Sequence, residues 1–178
     1  MPFATRTRII LIQHLLEQTE RSNTGRHAAA ALSSLELRVF GAKDVPLKVD
    51  DLAGAWLLWP GENGDLSPSP RGGEGRGEGQ LVGARPSTLV VLDGSWSQAR
   101  KMMQRVPQLH SLKRWSLPAR EGRKSLRASP PGGMSTLEAI AEALAALEGE
   151  DVGDRLRAVH EALLAKQMSD RGYVGPHR

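Results

Sequence analysis

The chain of 178 residues contains no cysteine. That absence excludes disulfides and thiolate metal sites. Aromatic residues are scarce: four tryptophans, two phenylalanines and one tyrosine. No apolar run approaches the roughly 20 residues that a membrane-spanning helix needs, so no membrane partner is expected. The opening stretch Met1-Pro2-Phe3-Ala4-Thr5-Arg6-Thr7-Arg8 lacks the basic, apolar, small-residue order of a secretory signal, and Ile9 to Ile12 is too short for its apolar core. The five histidines share no ligand spacing, so no metal is expected either. A cytoplasmic, metal-independent monomer is the expectation.

What is present fits a globular domain. Hydrophobic residues make up 39% and charged residues 25%, and the length suffices for one real core. The charge is uneven. Of the 24 basic residues 18 are arginine, the side chain suited to bidentate phosphate contact. Between Arg100 and Arg127 nine bases face a single acid, Glu121, whereas Glu138 to Asp154 holds six acids and no base. A solvated face accounts for such a run by itself. A phosphate-rich partner accounts for its concentration.

Arg8 to Gln13 reads as a strand buried on both faces, being almost continuously apolar. Asn23-Thr24-Gly25-Arg26 is a turn into an alanine-rich helix at His27 to Leu32. Further strands are expected at Leu35 to Phe40, Ala55 to Trp59, Leu89 to Leu92 and, shorter, Lys113 to Leu117. Helices follow at Ser97 to Arg105, Ser135 to Leu147 and Asp154 to Gln167, the last two with apolar residues on one face. Strands alternating with helices define an α/β sheet with parallel pairing. The expected organisation is one domain over residues 1–168, a Gly/Pro-rich insert at 61–86, and a tail at 169–178. Five glycines between Gly72 and Gly79 do not make a phosphate loop, because neither a strand before nor a helix after flanks them.

The stretch Leu92-Asp93-Gly94-Ser95-Trp96 lies just past a strand, where α/β sheets bind ligands. Two readings fit it. In one, Asp93 or Ser95 caps the next helix and Trp96 covers the core. In the other, Gly94 lets backbone approach a ligand, and Asp93 is a base or an orienting acceptor. Ser135-Thr136-Leu137-Glu138 fits the capping box, whose helix start can also hold a carboxylate. Gln13-His14 ends the first strand, where a role is open, but a satisfied or solvent-facing ring is the preferred reading of His14. Ser95, Ser97 and Ser135 lack the G-x-S-x-G context of a hydrolase.

Four stretches in order resemble the DTW-domain family of tRNA-uridine aminocarboxypropyltransferases: Ile10 to Glu17, Asn23 to Arg26, Leu92 to Met103 and Met134 to Ile140. The family forms are a QHPxE-like strand end, an NTGR-like helix start, D-x-[TS]-W before an Ala-Arg-Lys helix, and LST-x-EA. Trp59-Pro60-Gly61 stands where the family often has Tyr-Pro-Gly, and the resemblance spans about residues 6 to 148. It implies a SPOUT-like fold, a mostly parallel sheet with helices on both faces and a C-terminal trefoil knot. It also implies S-adenosyl-L-methionine as donor of a 3-amino-3-carboxypropyl group to N3 of a uridine in tRNA, with release of methylthioadenosine.

The resemblance makes Asp93 the catalytic candidate, although a carboxylate near pKa ~3.9 is a weak base for an imide. It assigns the donor to Leu92, Gly94, Ser95, Trp96, Ser116, Leu117, Pro118, Met134, Ser135, Thr136 and Glu138. Arg26, Arg100, Lys101, Arg105, Arg114, Arg123, Lys124 and Arg127 would hold RNA. Departures are the lost proline after His14, serine for threonine at Ser95, the long insert, and no counterpart to the four-cysteine zinc segment many members carry. The alternatives are a SPOUT-type RNA methyltransferase and a non-catalytic RNA-binding module.

Overall fold

The computed structural model describes residues 1–20, 23–59, 85–117 and 134–170. Among the described residues five strands form one sheet: β1 (Arg8–His14), β2 (Leu35–Phe40), β3 (Trp56–Leu58), β4 (Thr88–Asp93) and β5 (Lys113–Trp115). Their order is β2-β1-β4-β3-β5 and every pairing is parallel. Each expected strand is present. β3 and β5 are shorter than their apolar runs, pairing over only two and three residues.

The near-continuous apolar reading of β1 has a simple cause. Side chains alternate across a strand, and both faces are covered. Ile9 and Leu11 enter one core layer, Ile10 and Ile12 the other, and all four are fully buried. Each such burial contributes about 2 kcal/mol. Helices α1 (Gly25–Ala31), α3 (Thr136–Glu148) and α4 (Glu150–Asp170) supply the first layer. Helix α2 (Trp96–Arg105) and a 3-10 turn at Pro107–Ser111 supply the second through Ala99, Met102, Met103 and Leu109.

On α3 the expected stripe of Leu137, Ile140, Ala141, Leu144 and Leu147 is buried. Helix α4 begins at Glu150, four residues before the apolar pattern does, and extends through Asp170. Its first turn holds Glu150 and Asp151, acids that suit the positive end of a helix. The two helices pack closely at Gly153, where any Cβ would lie 2.6 Å from that of Ala145. Away from the strand ends, buried Arg38 grips Asp51 with two nitrogens (2.8 and 2.7 Å) and bonds Glu36, holding the loop after β2 against the strand. Hydrogen bonds from Arg38 and then Arg8 pull the Glu36 carboxyl down to about 2.

The link from β5 to α3 at 118–133 lies outside the described residues, and with it the threading on which a trefoil knot depends. Most of the 61–86 insert and the end of the tail lie outside them as well.

Candidate active site

From β1 the chain turns to β2 on one side, and from β4 it passes to β5 on the other. The carboxyl ends of β1 and β4 are therefore the point where the topology switches direction, the usual crevice for ligands in such sheets. In the parallel register Gln13 stands opposite Asp93. Both share the parity of Ile9, Leu11, Leu89 and Val91, so both side chains turn toward the layer of α1 and α3.

Asp93 is 3% exposed, and both its oxygens accept hydrogen bonds. Oδ2 receives Gln13 Nε2 at 2.8 Å and Asn23 Nδ2 at 2.7 Å, while Oδ1 receives Thr136 Oγ1 at 2.6 Å. All three donors are neutral, and a buried carboxylate is tolerable only because its lone pairs are satisfied. The donors are themselves fixed. Asn23 Nδ2 also bonds Glu17 Oε2 (3.3 Å), and Asn23 Oδ1 accepts from Gln13 Nε2 and the Arg26 amide, each at 3.2 Å. Thr24 Oγ1 accepts from the Leu137 amide (3.2 Å), fastening the start of α3 to that of α1. Gly25 completes the cluster: a Cβ there would stand 2.5 Å from Asp93 Oδ2.

The other side of the crevice is open. Ser95 and Gln98 form a full capping box at the start of α2. Ser95 is thus the cap, but Trp96 does not cover the core; it is 46% exposed. Its ring meets that of Trp59 edge-on, 6.0 Å away at 88°. Trp59 is held through its backbone, donating to the Trp115 carbonyl (2.9 Å) and accepting from Ser116 Oγ (2.7 Å). His14 ends β1 on the α2 side, its ring against Phe40 at 5.8 Å.

Of the other candidates, Leu92 and Met134 are half-buried against the core and Leu117 lies within it. Ser135 and Glu138 form the expected capping box, with Ser135 Oγ also 3.4 Å from His160 Nε2 of α4. Their polar atoms are thus largely engaged within the protein. The Thr136 amide and Glu138 Oε1 have no hydrogen-bond partner among the described residues. Arg26, Arg100, Lys101, Arg105 and Arg114 are exposed. Pro118, Arg123, Lys124 and Arg127 lie outside the described residues. Asn23, Thr24 and Gly25 are not among the expected site residues, although the motif stretches contain them, and Gln13 stands out only by its place with His14 at the strand end. The signal for Gln13 was the parity it shares with Asp93 at the end of a neighbouring strand.

An all-parallel sheet between helical layers, with polar side chains gathered at its switch point, defines an α/β protein with a candidate ligand crevice. The chain belongs to the DTW domain family, whose domain matches residues 1–168. A relative is tRNA-uridine aminocarboxypropyltransferase 2 of Drosophila melanogaster, 29% identical over 186 residues that cover 97% of this chain and 69% of that protein. No solved structure matches the chain.

Proposed function

We propose that the protein transfers the 3-amino-3-carboxypropyl group of S-adenosylmethionine to N3 of a uridine in tRNA, leaving methylthioadenosine. The observation that carries this reading is the convergence of three motif stretches on Asp93 at the switch point, with the DGSW turn of the same strand opening α2. Family membership and the name of the Drosophila relative support it.

The residues fit the donor. When bound, it supplies an electrophilic carbon next to a sulfonium. The half-exposed ring of Trp96 suits a sulfonium cation. At the start of α3 the Thr136 amide suits the donor's carboxylate and Glu138 Oε1 its ammonium. Asp93 orients: accepting from Gln13, Asn23 and Thr136, it holds β1, α1 and α3 in one geometry, and positioning is most of what such a displacement needs. Arg100, Lys101 and Arg105 line the solvent side of α2, where they hold the RNA backbone. The wider reading is a single SPOUT-like domain over residues 1–168 with a trefoil knot and a short tail, monomeric and cytoplasmic. Among the described residues no helix is long and apolar enough to cross a membrane.

The test incubates the protein with unmodified tRNA and S-adenosylmethionine labelled in the aminocarboxypropyl chain. Label in RNA together with methylthioadenosine is expected. S-adenosylhomocysteine in its place identifies a methyltransferase. RNA binding with neither product identifies a binding module.

A further inference from the structure

With three neutral donors already on Asp93, the uridine imide still has to lose a proton and carry negative charge before N3 can attack. The geometry points to His14 as the residue that steadies this charge, donating a hydrogen bond from Nε2 to a uracil carbonyl oxygen. The inference rests on the transferase reading.

Four observations support it. His14 Nδ1 accepts a hydrogen bond from the Leu16 amide (3.3 Å), so Nδ1 carries no proton and the neutral ring holds its hydrogen on Nε2. The ring is fixed by Phe40, and Nε2 has no partner among the described residues. His14 lies directly beside the DGSW turn, its Cβ 3.5 Å from the position a Cβ on Gly94 would take. It also shares the parity of Ile10 and Ile12, and so belongs to the α2 layer, the layer that carries Arg100, Lys101 and Arg105. A uridine whose backbone follows α2 reaches the crevice on the side of His14, opposite the start of α3 that suits the donor's carboxylate and ammonium, with Trp96 and the sulfonium between them. Leu15 (37% exposed) and Leu16 (63%) offer that base an apolar rim.

In the step itself the N3 proton passes to solvent, and His14 keeps its own hydrogen throughout. As charge spreads from N3 onto the carbonyl oxygens, the Nε2–H bond strengthens, as fixed donors do where charge develops. The N3 lone pair forms the new N–C bond while the donor's C–S bond breaks, and that electron pair stays on sulfur as a neutral thioether.

The two ring nitrogens can be separated by substitution. His14→Asn keeps an acceptor near Nδ1 for the Leu16 amide but loses the distal donor. His14→Gln keeps a distal N–H and weakens the cap. Single-turnover rates are measured for both variants and wild type on RNA containing uridine or the more acidic 5-fluorouridine, with donor affinity by calorimetry. On uridine RNA, H14N is expected about 100-fold slower than wild type and H14Q only about tenfold slower. Donor affinity should stay within about threefold, and 5-fluorouridine should bring H14N to within about tenfold of wild type. A purely structural role for His14 reverses the order, with H14Q the slower. That order, or an H14N deficit equal on both RNAs, overturns the assignment. Absence of transfer by the wild type overturns the transferase reading itself.

Discussion

Two helices begin at this crevice with the same local device, and they use it differently. Ser95 with Gln98 caps α2, and Ser135 with Glu138 caps α3; each box is complete. Yet the start of α2 is exposed, with Trp96 turned outward, while that of α3 is fastened to Asp93 through Thr136 and to α1 through Thr24. A cap is a local solution to unpaired backbone amides and carries no information about what lies across the turn. The difference teaches that α3 is held as part of a fixed frame, while α2 presents a surface.

The strongest way to break that contrast is Asp93→Ala, which removes the acceptor shared by Gln13, Asn23 and Thr136 and opens a hole at the junction of β1, α1 and α3. Urea unfolding should show a loss of about 3 kcal/mol, and transfer should fall at least about 100-fold. Asp93→Asn turns an amide toward donors and should slow transfer more than it weakens donor binding; wild-type turnover would remove Asp93 from the site. Next comes Gly25→Ala. Its Cβ would collide with Asp93 Oδ2, so a stability loss of about 2 kcal/mol is expected at a position where alanine otherwise favours helix.

Trp96→Ala tests the open side. Stability should change by less than about 1 kcal/mol, because the ring is half exposed, while calorimetric affinity for the donor falls about tenfold. Unchanged affinity would take Trp96 off the donor. The smallest effect lies away from both helix starts, in the Arg38 cluster. Glu36 is pulled down from 4.5 to about 2, so its contribution is complete above about pH 4.5 and disappears as pH falls toward 2. Glu36→Gln should flatten the acid limb of the stability curve slightly and leave transfer untouched.

The strands and helices were legible in the sequence because their signals are periodic and local. Ile9 to Ile12 has the continuous apolar run of a strand covered on both sides, and Leu137 to Leu147 the spacing of one buried helical stripe. Where α4 begins was not legible, since Glu150 and Asp151 read as part of an acidic run rather than as a first turn. The site was half legible. Asp93, Trp96 and Thr136 stood out as site residues, but Gln13 and Asn23, though inside motif stretches, show their purpose only when the pairing of β1 with β4 and the turn into α1 bring them to a carboxylate. Trp96 was ambiguous for a related reason: a tryptophan after a turn is core or surface depending on what packs over it.

By itself, then, the sequence determined the alternating α/β order, the apolar faces, both capping boxes and the family, all of which depend on neighbours a few positions apart or on motifs kept in order. Only the tertiary structure decided what Asp93 can do. Its partners Gln13, Asn23 and Thr136 lie 80, 70 and 43 positions away. Parallel pairing of β1 with β4 and the closure of α1 and α3 over one face bring them within hydrogen-bond distance. Once there, they donate to both carboxylate oxygens, so the residue that reads in isolation as either a base or an orienting acceptor ties β1, α1 and α3 together.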